Sequence, residues 1–342
     1  MIKRPFTLLL LLALISCLDS RENKLQRFLI QGNDAAARQS YGEAKRYYME
    51  ALKMDSCFVD GWNNLGTVYY KEKHFAEALD AYSNALHCNS KMRMALLNRS
   101  NTYYELNKYP EAMADINAFA ALGRDTLISH LSRGLIFTRT QQFDSAIRSF
   151  KKALEMNEAH VETLVNLGTV YYYKKQYDSA RVFLDKAIEL QPSEPNAFNA
   201  YALLELDNGN SSEALRRVNQ ALALRKNDPY FLNNRGYIFI TLNEMEKALA
   251  DIDKSIGEDP YNAWAYRNKG IYYLEAKDAA AALRVLERAV KLDSTVSKLY
   301  YYLGEANLLS GRRDEACMYL RKAFAKGDLT LEKLRVKCAS KK

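Results

Sequence analysis

The sequence has few of the residues that build catalytic and metal sites. Its four histidines are scattered, and no CxxC or HExxH spacing brings metal ligands together. No glycine-rich loop is placed to hold a phosphate, and the carboxylates form no evident acid–base pair. We therefore predict no catalytic residue, no metal and no cofactor. The histidines are His74, His87, His130 and His160.

Proline, glycine and long apolar runs are also scarce. Six prolines and 14 glycines in 342 residues leave no room for a long flexible linker. A largely apolar run at residues 6–15 is too short to cross a membrane. Because Lys3 and Arg4 precede it, the run instead suits a secretory signal peptide.

The end of that run resembles the lipobox of bacterial lipoproteins, with the sequence Leu14, Ile15, Ser16, Cys17. The resemblance implies cleavage before Cys17, which then carries lipid on its sulfur and amine and binds a membrane firmly. The alternative is an ordinary signal with an incidental cysteine. We expect a lipoprotein signal peptide at 1–16, a short tether at 17–24 and a place in the cell envelope. Because Leu18 follows the cysteine where aspartate would favour inner-membrane retention, we expect the outer membrane, with the facing left open.

Positive charge exceeds negative charge only mildly. The chain has 49 Lys and Arg against 41 Asp and Glu, a net charge of +8. Nucleic-acid binding would need basic residues along a groove with stacking aromatics, whereas several of these cations lie in the last ten residues. We attribute the excess to solvated surface and expect no nucleic-acid partner.

One alanine recurs every 34 residues without a miss, which is typical of a repeat array. With that alanine at position 20, nine uninterrupted units fill residues 25–330, and position 8 of each is Gly, Ser or Ala. The periodic alanines are Ala44, Ala78, Ala112, Ala146, Ala180, Ala214, Ala248, Ala282 and Ala316.

Each unit has the pattern of a helical hairpin. In the second unit, Trp62, Leu65, Gly66 and Tyr69 form one helical stripe, and a second stripe begins at Ala78. The polar stretch at 71–74 is short enough to reverse the chain, so the two helices must pack antiparallel. Small residues at positions 8 and 20 let the two backbones approach closely.

These residues resemble the tetratricopeptide repeat, in both the Trp62, Leu65, Gly66, Tyr69 motif and the fifth unit. The resemblance implies an all-α fold, a right-handed α-solenoid of nine hairpins whose concave groove is lined by the first helices. The sixth unit departs from the pattern, with Ala202 in place of glycine and Glu205 in place of tyrosine. There we expect a looser hairpin or a groove of different character.

The resemblance places the groove at repeat positions 2, 5, 6, 9, 12 and 13, which hold many amides and aromatics here. Asparagines could clamp an extended peptide backbone, because each offers a donor and an acceptor; asparagine at position 6 is also a habit of the family. Tyrosines are enriched at binding hot spots, although at position 12 they could only shield the next helix. The candidate groove residues are Asn63, Asn64, Tyr70, Asn98, Asn101, Tyr104, Asn166, Tyr172, Asn233, Asn234, Tyr237, Trp264, Arg267 and Asn268.

The last residues, 331–342, are expected to form a capping helix with a basic tail over the ninth unit, its N-terminus capped by Asp328 or Thr330. Four cysteines remain besides Cys17, and we expect them as free thiols. A bridge between Cys317 and Cys338 is conceivable, because the second lies on the capping helix. Cys57 and Cys88 belong to successive units and are expected to lie too far apart for a bridge.

The leading hypothesis is a non-catalytic, lipid-anchored scaffold that holds a partner's peptide segment in the groove. One alternative is an accessory subunit of an envelope enzyme, secretion or glycan-handling complex. Another is a structural array that self-associates. The carboxylate clamp of chaperone-binding tetratricopeptide domains requires lysine at position 5, and no unit has one; a chaperone adaptor is therefore not expected.

Overall fold

A computed structural model describes residues 21–123 and 125–338, which contain nineteen α-helices and no strand. They fall into two compact units, one up to Glu158 and the other from Ala159. The predicted signal peptide, Cys17 and residues 339–342 of the predicted tail lie outside the described residues. Within those ranges, no helix is long and apolar enough to span a membrane.

The first unit contains four helical hairpins. Its helices are α1 (Arg21–Ala37), α2 (Tyr41–Met54), α3 (Val59–Lys71), α4 (Phe75–Cys88), α5 (Arg93–Glu105), α6 (Tyr109–Ala121), α7 (Leu127–Arg139) and α8 (Phe143–Met156). Helix α1 therefore includes residues 21–24, the last part of the predicted tether. In this extra turn, the guanidinium of Arg21 donates to the Met54 carbonyl at the end of α2.

The second unit contains five hairpins and one further helix. Its helices are α9 (Val161–Tyr173), α10 (Tyr177–Leu190), α11 (Pro195–Asp207), α12 (Ser211–Leu224), α13 (Pro229–Thr241), α14 (Met245–Glu258), α15 (Ala263–Glu275), α16 (Ala279–Leu292), α17 (Leu299–Leu309), α18 (Arg313–Ala325) and α19 (Leu331–Cys338). Odd-numbered helices up to α17 are the first helices of the hairpins. Within each unit, each first helix packs on its own second helix, and each second helix packs on the first helix of the next hairpin. The prediction of nine helical hairpins is confirmed.

Small residues bring the two helices of each hairpin together. All nine periodic alanines are completely buried. A methyl group added at Gly134 would lie 2.4 Å from Cε1 of Phe150, and one added at Gly270 would lie 2.5 Å from Leu286. Where serine replaces glycine, the Ser100 hydroxyl donates 2.8 Å to the carbonyl of Ala112. Serine therefore fits between the two closely packed helices, because its hydroxyl makes a hydrogen bond to the backbone of the facing helix.

The turn inside each hairpin requires a left-handed residue at position 15. Glycine fills it in the sixth and ninth hairpins, as Gly209 (φ 82°) and Gly311 (φ 76°). The other seven hairpins use a residue with a side chain, at φ between 57° and 62°: Gln39, Lys73, Asn107, Gln141, Lys175, Asn243 and Lys277. Packing on both sides outweighs the cost of about 1–2 kcal/mol that a non-glycine residue has in this region.

Arginines at position 7 tie consecutive hairpins together, which the sequence analysis did not predict. Arg99 on α5 makes a bidentate ion pair with Asp115 on α6, at 2.7 and 2.8 Å, and also donates to Ser83 on α4. Arg235 repeats this with Asp251, at 2.6 and 2.9 Å, and with Asn219. Each arginine therefore joins three helices of two neighbouring hairpins.

Of the two alternatives expected for the sixth hairpin, the looser packing is wrong. Ala202 is completely buried, and so are Leu204, Ala214 and Val218. Glu205 is also buried, with one carboxylate oxygen 2.8 Å from Arg181 and the other accepting from Asn210 at 2.8 Å. The carboxylate is stabilised there because a neighbouring second helix supplies the cation.

The expectation of free thiols is also wrong. Cys57 and Cys88 are bonded, with Cα atoms 5.4 Å apart, and Cys317 and Cys338 are bonded, with Cα atoms 5.6 Å apart. The first pair is close because Cys57 lies just before α3 and Cys88 ends α4. In an antiparallel hairpin, the start of the first helix lies beside the end of the second, whatever the separation along the chain.

Helix α19 lies on the last hairpin. Leu334 and Cys338 pack against a cluster of Leu320, Ala323 and Leu329. Thr330 caps the helix, its hydroxyl accepting from the backbone N–H of Lys333 at 3.3 Å, whereas Asp328 accepts from the N–H of Lys298. Of the two capping residues that the sequence suggests, Thr330 has this role.

The same substitution is expected to have opposite effects at two helical glycines. Gly134→Ala should lower the free energy of unfolding by about 1–3 kcal/mol, because the methyl group overlaps the buried ring of Phe150. Gly257→Ala should raise it by about 0.5–1 kcal/mol, because nothing lies within 4 Å and alanine is the better helix former. Chemical denaturation of both variants tests this; equal shifts would contradict the assigned close contact.

Candidate peptide-binding groove

The structure places all fourteen candidate residues on first helices, at different depths. Asn63, Asn233, Arg267 and Asn268 are buried, and Asn101 is exposed. The others are partly buried: Asn64, Tyr70, Asn98, Tyr104, Asn166, Tyr172, Asn234, Tyr237 and Trp264. Most asparagines lie where neighbouring first helices meet.

In the first unit, four asparagine side chains form one hydrogen-bonded series, here called the N-terminal amide chain. The Asn98 amide donates to Asn63 at 3.0 Å, Asn63 donates to Asn64 at 3.1 Å, and Asn64 donates to Asn33 at 2.9 Å. The hydroxyl of Tyr48 also donates to Asn33, at 2.7 Å. This chain connects the first helices α5, α3 and α1.

The second unit has a similar series, the C-terminal amide chain, which starts from an arginine. Arg267 donates to the Asn268 oxygen at 3.0 and 2.7 Å. Asn268 donates to Asn233 at 2.8 Å, Asn233 to Asn234 at 3.4 Å, and Asn234 to Asn199 at 2.9 Å. Because arginine has only donors, it fixes the orientation of the Asn268 amide.

In both chains, an asparagine at position 6 contacts the residue at position 5 of the preceding hairpin, 35 residues earlier. The sequence identified these positions but not this contact. Asn199 at position 5 and Asn33 at position 9 also stand at groove positions of the repeat, but neither was among the candidate residues. The buried amides join first helices, and the exposed edges of Asn64, Asn98, Asn101 and Asn234 face solvent.

A cavity of about 150 Å³ opens among first helices α3, α5 and α7 of the first unit. Three candidate residues line it, Tyr70, Asn101 and Tyr104. Burial and the neighbouring Glu105 carboxylate raise the pKa of Tyr70 to about 12, so its hydroxyl stays protonated. The remaining lining residues are not among the fourteen candidate groove residues: Ser100, Glu105, Ser132, Leu135 and Ile136.

Aromatic side chains cluster in the second unit. The rings of Trp264 and Tyr237 lie 4.7 and 5.6 Å from the Arg267 guanidinium carbon. Burial raises the pKa of Tyr302 and Tyr172 above the ordinary tyrosine value. Asn166, by contrast, lies apart from the C-terminal amide chain, partly buried on α9.

The described part of the chain contains no group of three or more His, Cys, Asp or Glu side chains that could hold a metal ion. One carboxylate lies at the cavity and another lies near the aromatic cluster, and each is beside a tyrosine. Glu105 lies beside Tyr70, and Asp207 lies beside Tyr172.

Family models described as the tetratricopeptide repeat match residues 59–92, 138–204, 200–263 and 267–328, together more than half of the chain. The chain belongs to the tetratricopeptide repeat family. None of these models describes an enzyme. No curated protein matches the chain.

Several solved structures are similar to this tetratricopeptide repeat protein at low identity. A chain of the APC/C hetero-tetramer Cut9–Hcn1 is 12% identical with a TM-score of 0.54, covering 95% of this chain and 97% of that one. PilF of Pseudomonas aeruginosa is 19% identical with a TM-score of 0.52, covering 62% and 96%. YrrB, described as having an unusual peptide-binding site, is 19% identical with a TM-score of 0.41, covering 54% and 95%.

Two asparagines at the same repeat position are expected to differ in their effect on stability. Asn268→Ala should cost about 1–3 kcal/mol, because it leaves buried groups of Arg267 and Asn233 without their partner. Asn166→Ala should change the free energy of unfolding by less than about 0.5 kcal/mol, because its side chain is partly exposed. Denaturant midpoints measure both, and an equal loss in both variants would contradict a structural role for the C-terminal amide chain.

Proposed function

We propose that this tetratricopeptide repeat protein is a lipid-anchored scaffold of the bacterial cell envelope that holds an extended segment of a partner polypeptide against its first helices. The observation that carries the proposal is the cavity lined by Tyr70, Asn101 and Tyr104. It is open, and its walls combine aromatic rings with hydrogen-bonding groups.

The size of this cavity favours a side chain over a small molecule. Sites for small ligands typically measure about 300–1,000 Å³, whereas this cavity measures about 150 Å³. One apolar or aromatic side chain of a bound segment suits that volume. Tyrosine rings provide large contact area at low entropic cost, and the exposed amide of Asn101 can bond the backbone of the segment.

Two features support export and anchoring. The first is the apolar run that ends in Leu14, Ile15, Ser16 and Cys17. The second is the pairing of all four other cysteines, Cys57 with Cys88 and Cys317 with Cys338. Disulfides persist in oxidising compartments such as the periplasm and are rare in the cytosol.

A photocrosslinking residue at position 101 is expected to form a covalent adduct with a partner polypeptide in living cells. The same residue at position 84, an exposed asparagine on second helix α4, should give no such adduct. Tyr104→Ala should reduce the adduct at 101, because it removes one wall of the cavity. Circular dichroism of the Tyr104→Ala variant should show that its helicity is retained.

Equal adducts at both positions, or none at 101, would contradict partner binding at this cavity. An adduct with a second copy of the chain would instead favour the self-associating array.

Cys17→Ala is expected to move the protein from the membrane fraction to the soluble fraction, because the acyl chains lose their attachment site. Mass spectrometry of the N-terminal peptide should detect acyl groups on Cys17 in the unchanged protein. The matched control is Cys57→Ala with Cys88→Ala, which removes a disulfide but should leave the protein on the membrane. An unacylated Cys17 would refute the anchor and leave the partner-binding proposal intact.

A further inference from the structure

Arg267 is a buried cation whose hydrogen-bond partners are all neutral. Its side chain is 8% exposed. Nε and Nη2 donate to the amide oxygen of Asn268, and Nη1 donates to the carbonyl of Ser297 at 3.3 Å. A guanidinium stays protonated in proteins, so this charge has been moved out of water without a counter-charge.

Two partly buried arginines of this protein are ion-paired instead. Arg99 and Arg235 each make a bidentate pair with an aspartate on their own hairpin. Among the residues that the structure describes, Arg267 makes no ion pair within 4.0 Å. The acid that acts on it electrostatically is Asp328, whose carboxylate accepts from the backbone of Lys298.

An uncompensated charge of this kind is costly. Burial lowers the pKa of Arg267, the direction that desolvation gives a cation. Buried charges in folded proteins are generally paired, because leaving one unpaired is strongly destabilising. A ligand that brings a negative charge to this place would recover that cost on binding.

The surroundings hold the guanidinium in a fixed plane. Trp264 and Tyr237 face it, at 4.7 and 5.6 Å, and Asn268 holds the side that carries Nε. Of its five N–H groups, three have acceptors within the described structure, which leaves one on each terminal nitrogen. Two N–H groups on adjacent nitrogens match the two oxygens of a carboxylate.

We propose that Arg267 binds a carboxylate of the partner segment, either an aspartate or glutamate side chain or the C-terminal carboxylate. This rests on the proposed function, since it names the chemistry of the segment that the first helices hold. It differs from the lysine-based chaperone clamp in using one arginine enclosed by aromatic rings.

Random nine-residue peptides test the proposal, in two libraries that differ only in a free or an amidated C-terminus. Each library is passed over the full chain with both disulfides intact, and the retained peptides are sequenced by mass spectrometry. An acidic side chain should be enriched at least tenfold at one position in both libraries, or the free-acid library should be retained at least tenfold better. The first result assigns the carboxylate to a side chain, and the second assigns it to the C-terminus.

Arg267→Gln should abolish this preference while neutral peptides are still retained, because glutamine can still donate to Asn268 but carries no charge. The matched control is Arg288→Gln, an exposed arginine on second helix α16 of the same hairpin, which should keep the preference. Should Arg267→Gln not fold, Arg267→Lys replaces it. Lysine keeps the charge but lacks two paired nitrogens, so the preference should fall at least threefold.

Retained peptides without an acidic preference would overturn the Arg267 site and leave peptide binding by the groove standing. A preference that survives Arg267→Gln unchanged, or Arg267→Lys if that variant is used, would overturn it in the same way. Retention of no peptide by the unchanged protein would overturn both the site and the proposed function.

Discussion

The close contact between the two helices of each hairpin is the constraint on which the other features depend. The backbones meet where position 20 is a completely buried alanine and position 8 is a small residue. Because this contact recurs every 34 residues, it fixes which face of every first helix turns away from its partner. A tyrosine such as Tyr48 or Tyr82, four residues after the alanine, becomes core. Tyr70 and Tyr104 stand at position 12 of first helices, and they line a cavity instead.

That register accounts for how much of the fold could be predicted from the sequence. The hairpins, their turns and the capping helix follow from local periodicity and small residues. The disulfide between Cys57 and Cys88 was not predicted, because the two cysteines belong to successive repeat units and were therefore expected to lie far apart. An antiparallel hairpin nevertheless brings the start of its first helix beside the end of its second helix. The ion pairs of Arg99 and Arg235 were missed for a related reason. Residues 16 apart meet only after the two helices have packed.

The candidate site was predictable in position but not in chemistry. Repeat position alone identified Asn63, Asn233 and Asn268 as groove residues, and the structure shows them buried and bonded to other first helices. An amide side chain can make hydrogen bonds either to a neighbouring helix or to a ligand, and the sequence does not show which of these partners is nearer. Asn101 is the opposite case. It also lies on a first helix, but it is exposed and lines the cavity.

The difference between the two amide chains bears on what each unit can bind. Both run from position 6 of one hairpin to position 5 of the hairpin before it, but they start from different groups. The N-terminal chain starts from the neutral amide of Asn98, and the C-terminal chain starts from the cation of Arg267. Each amide in the second series is therefore polarised by a charge at its end, which strengthens its hydrogen bonds. A shared backbone register thus gives the first unit a cavity lined by tyrosine rings, an exposed amide and the Glu105 carboxylate, and it gives the second unit a fixed positive charge.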